Sequence, residues 1–275
     1  MEHPIRSHYT TTETLHALRE ARKDHPHLAD FLAFHEEILS VQALAEEEGE
    51  SAAGPLPLAD DSVRAFAEGT PWLRFEDLAL APDHSAALVR QMADVLRRHR
   101  SDWAGETLES DSRALLTLAR SALEGRKPLL QGDEGLTAAA VELSVQAAMR
   151  PLAAQIVPRL DLEQWRRETC PFCGSAPALA LLEPSIGARF LFCGRCHTCW
   201  PFRRVACAFC SDDTSLTYHT TDTKGYRLYV CQTCKNYLKT IDLREIPRQI
   251  NPAVENLLTV GLDLVAEERG YSRKA

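Results

Sequence analysis

The spacing of apolar residues divides the chain into a helical first part, a strand-rich middle part and a short helical end. From Thr12 to about Arg167, apolar side chains recur every three or four residues, which is typical of amphipathic helices. In the middle part, short alternating runs of apolar and polar side chains follow glycines, which predicts strands. The spacing from Pro252 to Glu268 predicts one terminal helix.

Capping residues and prolines indicate where several of these helices begin. Asp83 is a predicted N-cap, because a carboxylate can accept hydrogen bonds from the first turn. Ser110 or Asp111 is predicted to begin another helix. An alanine-rich stretch from Leu136 to about Val157 predicts a further helix, which Pro151 is expected to kink or restart.

The nine cysteines all lie between Cys170 and Cys234. Eight of them form four C-x-x-C pairs, which are Cys170 and Cys173, Cys193 and Cys196, Cys207 and Cys210, and Cys231 and Cys234. The first two pairs are separated by 19 residues and the last two by 20. This spacing is typical of a zinc ribbon or rubredoxin-like site, in which two such turns supply four thiolates to one ion.

The two halves of this cysteine-rich region repeat each other with an offset of 37 or 38 residues. Cys170-Pro171-Phe172-Cys173 matches Cys207-Ala208-Phe209-Cys210, and the stretch Gly187–Cys193 matches Gly225–Cys231. In each half, a glycine turn precedes a strand that ends at the second cysteine pair. We predict two tandem metal ribbons, with the first four cysteines on one ion and the last four on another. An interleaved arrangement of the ligands stays open.

The predicted ligand sets indicate structural or recognition sites, since four sulfurs close a tetrahedron and catalytic zinc keeps one position open. Sulfur ligation suits zinc and iron alike. The sequence has no phosphate loop, dinucleotide fingerprint or nucleophile elbow. We therefore expect a protein that is not an enzyme, and we predict no catalytic residue. Cys199 is interpreted as a spare thiol, with a redox-active or metal-exchanging thiol as the alternative.

Composition and charge restrict the class of protein further. The chain has 275 residues with 45% hydrophobic and 25% charged residues, which excludes a wholly disordered or collagen-like chain. No apolar run reaches the roughly 18 residues of a membrane span. Because Met1 to Thr12 lacks the apolar core of a secretory signal, we expect a cytoplasmic protein without membrane insertion.

The net charge of −8 weakly disfavours nucleic acid as a partner. Residues 165–250 hold 12 basic and 7 acidic side chains, a surplus of 12 − 7 = 5 positive charges. Two divalent ions held by eight thiolates would add about four negative charges to this segment. The basic surplus is then nearly cancelled, and nucleic acid is not an expected partner.

A longer ordered series of motifs surrounds the cysteines. It consists of Cys170-Pro171-Phe172-Cys173-Gly174-Ser175-x-Pro177, then Gly187-x-Arg189-Phe190-Leu191-x-Cys193-x-x-Cys196-x-x-x-Trp200, then Arg204-x-x-Cys207-x-x-Cys210, and finally Cys231-x-x-Cys234-x-x-Tyr237-Leu238-Lys239. The segment from His25 to Phe34 and the closing helix with Asp263 add to it. Together these residues resemble the formate dehydrogenase accessory protein family (FdhE type), from whose pattern Cys199 departs.

The resemblance implies a cytoplasmic accessory protein that is required for the formation of active formate dehydrogenase and binds its catalytic subunit through a metal-stabilised scaffold. It favours iron over zinc for the two ions per chain. Arg189, Trp200, Arg204 and Tyr237 are predicted to face the partner or to lie beside the metal ligands. The alternative is a redox or sulfur-handling protein that uses iron–thiolate or free cysteine chemistry on a client enzyme. A homodimer is also open.

The predicted fold class is α+β. The predicted segments are a helical domain (1–165), a first metal-ribbon module (166–206), a second metal-ribbon module (207–248), and a C-terminal helix with its tail (249–275).

Overall fold

The computed structural model describes residues 5–50, 58, 60–78, 80–125, 135–246 and 248–273. Helices precede and follow a mixed sheet, which confirms the predicted α+β class. The contacts group Thr10–Pro57 with Leu73–Ile156 as a helical unit, and Met1–Tyr9, Leu58–Trp72 and Val157–Ala275 as a ribbon unit. This grouping differs from the four segments drawn along the sequence, whose independence as domains stays a prediction.

The helical unit is built around one buried helix. Its helices are α1 (Thr11–Asp24), α2 (Ala29–Glu50), α4 (Pro82–His99), α5 (Ser112–Glu124) and α6 (Leu136–Ile156), while α3 (Asp60–Ala67) belongs to the ribbon unit. Helix α6 packs against α2, α4 and α5 and is apolar on most of its surface, as a central helix requires. Among the described residues, no helix is long and apolar enough to cross a membrane.

The predicted helix boundaries are partly confirmed. Asp111 is the N-cap of α5, and its carboxylate accepts a hydrogen bond from the backbone N–H of Ala114. Asp83 is not a cap but lies in the first turn of α4, because Pro82 occupies the first helical position, for which its fixed φ is suited. The helix α6 runs through Pro151 and does not restart there.

The ribbons form one six-stranded sheet. Its strands are β1 (Leu179–Leu182), β2 (Arg189–Phe192), β3 (Cys199–Phe202), β4 (Leu216–Thr220), β5 (Tyr226–Cys231) and β6 (Tyr237–Asp242), in the order β3-β2-β1-β6-β5-β4. Neighbours within each ribbon are antiparallel. Strands β1 and β6 pair in parallel, with Leu181 opposite Ile241, and this pairing joins the two ribbons.

Glycines shape the turns before β2 and β5, as the sequence predicts. Gly187 has a φ of 68° and Gly225 a φ of 84°, a region that side chains rarely adopt. A Cβ atom on Gly225 would also lie 2.6 Å from Cγ1 of Ile246. Both conformation and space therefore require glycine at the second turn.

The chain ends in two helices, α7 (Pro252–Leu258) and α8 (Val260–Glu268), where the sequence predicts one. The break lies at Thr259, whose hydroxyl donates a hydrogen bond to the carbonyl of Glu255 at 2.7 Å. Such bonding of a threonine to the preceding turn competes with regular helix geometry.

An ion pair fastens α8 to β6. The Lys239 side chain is 1% exposed, and its ammonium donates to Oδ2 of Asp263 at 2.7 Å and to the carbonyl of Asn256 at 2.7 Å. The hydroxyl of Tyr237 donates to Oδ1 of Asp263 at 2.9 Å. Burial lowers the pKa of Lys239 to about 8, although the charge of Asp263 opposes the shift. The motif Tyr237-Leu238-Lys239 therefore anchors the C-terminal helix.

Candidate metal centres

The four C-x-x-C turns share one backbone geometry. Each is followed by a residue with positive φ, which is Gly174, His197, Ser211 or Lys235. The N–H of each of these residues donates to the carbonyl of the first cysteine in its turn, at 2.9 to 3.1 Å. The N–H of each first cysteine donates to the carbonyl two residues beyond the second cysteine, at 2.7 to 3.0 Å. These paired hydrogen bonds hold both sulfurs of a turn on the same side.

The sulfur atoms converge in two groups. The first cluster consists of Cys170, Cys173, Cys193 and Cys196, and the second cluster consists of Cys207, Cys210, Cys231 and Cys234; within each, the Sγ atoms lie within 4.8 Å of one another. This grouping follows the order of the sequence and is not interleaved. Each ribbon therefore gathers the sulfurs of its own two turns.

The distances between these sulfurs fit a metal ion and do not fit disulfides. In the first cluster, Sγ of Cys170 lies 3.5 Å from Sγ of Cys196. In the second cluster, Sγ of Cys207 lies 3.7 Å from Sγ of Cys234. A disulfide needs about 2.05 Å, whereas four sulfurs at about 2.3 Å from one ion lie about 3.8 Å apart. The donor set and its spacing thus fit one tetrahedral ion per cluster.

The two clusters differ in the charge placed beside them. Next to the first cluster, the buried guanidinium of Arg195 donates to the hydroxyl of Ser175 at 2.9 Å. Hydrogen bonds from the other three cysteines, and then the charge of Arg195, lower the pKa of Cys173. At the aligned positions in the second cluster, the hydroxyl of Thr233 donates to the carboxylate of Asp212 at 2.6 Å.

Comparison with known proteins places these clusters in a family. A sequence model described as "FdhE, central domain" matches residues 169–204, and one described as "FdhE, C-terminal domain" matches residues 205–275. A protein named "Protein FdhE homolog" from Pectobacterium carotovorum is 28% identical over 94% of this chain and 83% of its own length. Residues 169–275 of this chain match the FdhE family.

Further relatives agree with this assignment. An FdhE homolog from Aquifex aeolicus is 36% identical over 119 residues, and the aligned part spans less than half of that relative's length, 42%. The crystal structure of the FdhE protein from Pseudomonas aeruginosa superposes with a TM-score of 0.63 at 22% identity, covering 94% of this chain and 91% of that chain. The superposed part of the chain therefore has the FdhE fold.

Of the four predicted partner residues, three lie inside the FdhE fold. Arg189, Trp200 and Tyr237 are at most 2% exposed, whereas Arg204 is exposed. Arg189 donates to the carbonyl of Ala206 at 2.8 Å, and burial lowers its pKa to about 10. In this structure, only Arg204 presents its side chain at the surface, and contact of any of the four with a partner stays a prediction.

The ninth cysteine lies in the core of the ribbon unit. Cys199 is 1% exposed and packs in one cluster with Tyr9, Phe190 and Ile241. Burial, and then the nearby charge of Cys193, raises the pKa of its thiol far above the usual range. A protonated, enclosed thiol is a poor nucleophile, which supports the interpretation of Cys199 as a spare packing residue.

Sequence reasoning missed the three turn residues with positive φ that are not glycine. His197, Ser211 and Lys235 carry no compositional signal for this conformation, whereas Gly174 does. Their position directly after each second cysteine is the signal that could have identified them.

Proposed function

We propose that this chain is a cytoplasmic accessory protein, without catalytic activity of its own, that is required for the formation of active formate dehydrogenase. The similarity to the FdhE family, over residues 169–275 in the family models and over 94% of the chain in one relative, is the observation that carries the proposal. The scaffold would bind the catalytic subunit of the client enzyme, and nucleic acid and membrane lipid would not be partners.

The two four-cysteine clusters support the scaffold part of the proposal. Each would hold one ion through its four thiolates, with iron favoured by the family resemblance and zinc as the alternative. A bound ion supplies folding free energy that a ribbon of this size cannot obtain from its own apolar core. In this proposal, the scaffold consists of a helical domain, two ribbon modules and a C-terminal helix.

A retention experiment tests client binding. The metal-replete chain carries an affinity tag and is mixed with the purified catalytic subunit of formate dehydrogenase. We expect retention by the unsubstituted chain and a weaker signal for Arg204→Glu, since Arg204 is the exposed member of the predicted partner residues. Arg113→Glu is the matched charge-reversal control, since Arg113 is an exposed residue of α5 in the helical unit. No retention by the metal-replete chain would contradict the proposal.

The exposure of Cys210 favours a second candidate function, in which the chain transfers electrons or sulfur to its client enzyme. Four sulfurs around iron support one-electron chemistry, whereas zinc has none. Iron-loaded protein in its ferric form would then absorb visible light and bleach on addition of dithionite, which reduces the iron. A colourless protein that contains two zinc ions would refute the electron-transfer version.

A further inference from the structure

The internal repeat lets each metal centre serve as the control for the other. Both ribbons have three strands, two C-x-x-C turns and the same hydrogen bonds within each turn. Differences at aligned positions therefore report on the surroundings of each cluster and not on its own fold.

Burial is the first difference. In the first cluster, every cysteine is at most 3% exposed. In the second cluster, Cys210 is exposed and Cys234 is half-buried, while the other two are buried. The aromatic residue inside the first turn follows the same trend, because Phe172 is fully buried and Phe209 is only half-buried.

Chain segments from elsewhere in the ribbon unit cause this difference. The backbone N–H of Trp72 donates to the carbonyl of Pro171 at 2.9 Å and covers the first turn of the first cluster. Among the described residues, none donates a backbone hydrogen bond to Ala208, which occupies the aligned position. The second turn is covered in both ribbons. In the first ribbon, Nε2 of His8 lies 3.0 Å from the carbonyl oxygen of Cys196. In the second ribbon, residues 271–272 cover the turn. The second cluster is therefore open on one side, at Cys207–Cys210.

Charge is the second difference. A divalent ion with four thiolates carries a net charge of −2. At the first cluster, the cation of Arg195 balances part of that charge. At the second cluster, the carboxylate of Asp212 adds negative charge instead, with Oδ2 3.9 Å from Sγ of Cys231. Arg189, whose charge interacts with Cys207, offsets part of this repulsion. An adjacent carboxylate raises the free energy of the charged ion–thiolate complex relative to protonated thiols, so it favours release.

We propose that the second cluster releases its ion to external ligands, whereas the first cluster retains its ion as long as the chain is folded. The incoming ligand would be a soft donor, a thiolate or an aromatic nitrogen, that approaches from the side of Cys210. It displaces one cysteine thiolate from the ion at a time, and each displaced thiolate takes up a proton from solvent. This inference rests on the proposal that each cluster holds one ion.

Release of zinc into the coloured chelator 4-(2-pyridylazo)resorcinol tests it. The full chain, loaded with two zinc ions, is mixed with excess chelator at pH 7.5. We expect two phases of equal amplitude whose rates differ at least about tenfold, because one site is open and the other enclosed. Both ions leaving in a single phase would overturn the inference. A chain that takes up neither zinc nor iron would contradict the proposed metal scaffold itself.

Two aligned substitutions assign the phases. Cys210→Ser should remove the fast phase and keep the slow one, while Cys173→Ser, at the same position of the first ribbon, should remove the slow phase. Because Cys173→Ser affects the buried cluster and can unfold the ribbon, the unsubstituted chain is also alkylated with N-ethylmaleimide during the fast phase. Mass mapping should find label on the second cluster. Label on Cys170 or Cys193 at that stage would contradict the assignment.

A charge-neutral variant tests the electrostatic part. Asp212→Asn should slow the fast phase about threefold, the effect expected of one partly exposed charge. Asp212→Glu retains the charge and should leave the rate unchanged. An equal rate for Asp212→Asn and the unsubstituted chain would show that burial alone separates the two clusters.

Discussion

Removing the charge of Asp263 tests how the C-terminal helix is held on the sheet. In Asp263→Asn, the ammonium of Lys239, which is 1% exposed, keeps the carbonyl of Asn256 but loses its carboxylate partner. Breaking a buried ion pair from one side costs about 3–5 kcal/mol. Because Lys239 has a pKa of about 8, it can release its proton near neutral pH at little cost, so we expect a smaller loss, of about 1 kcal/mol in the free energy of unfolding.

The assay is denaturant unfolding of the metal-replete chain at pH 7.5, followed by tryptophan fluorescence and circular dichroism. Glu267→Gln removes an exposed carboxylate from the same helix and is the matched control, with an expected change within about 0.5 kcal/mol. Lys239→Met in the Asp263→Asn background should recover most of the loss, since it removes the unpaired buried charge.

An Asp263→Asn variant as stable as the Glu267→Gln control would show that the pairing of Lys239 with Asp263 does not stabilise the fold. So would a double variant that is no more stable than Asp263→Asn alone. Either result would mean that the ion pair does not determine the docking of α8 on β6.

The remaining predictions concern the metal ligands, the spare thiol and pH. A Cys170→Ser, Cys173→Ser chain should bind one ion in place of two by elemental analysis, whereas Cys199→Ala should keep both, because Cys199 belongs to neither cluster. The folded-state pKa of Lys239 is about 8, below its ordinary value of 10.5, so the unfolded chain holds that proton more tightly. The free energy of unfolding therefore rises with pH between these two pKa values. Between pH 8 and 9.5 we expect the free energy of unfolding, measured by denaturant titration, to rise by about 1.5 kcal/mol. Lys239→Met should abolish this rise, whereas Lys224→Met, at an exposed lysine, should retain it.

The local features of this fold could be read from the sequence because short-range chemistry determines them. The C-x-x-C spacing specifies the cysteine turns, glycine specifies the turn before each second strand, and Asp111 specifies the start of α5. Each of these depends on residues within one turn of the chain. The motif Tyr237-Leu238-Lys239 is also visible in the sequence, but its meaning depends on Asp263, which lies 24 residues beyond Lys239.

The features that could not be read from the sequence depend on long-range pairing. The parallel pairing of β1 with β6 joins two ribbons that look independent along the chain. The cover over the first cluster comes from Trp72 and from residues 7–9, which precede the cysteines by about a hundred residues or more and carry no metal-site signal. For the same reason the aromatic and basic residues of the ribbons look suited to a surface, although Trp200 is fully buried.

Native mass spectrometry of the chain purified without oxygen measures whether the eight paired cysteines hold two ions. We expect two metal ions per chain, one of which is lost when Cys210 is replaced by serine and the other when Cys173 is replaced. A folded chain without metal, whose mass corresponds to disulfides among these eight cysteines, would show that the cysteines are not metal ligands.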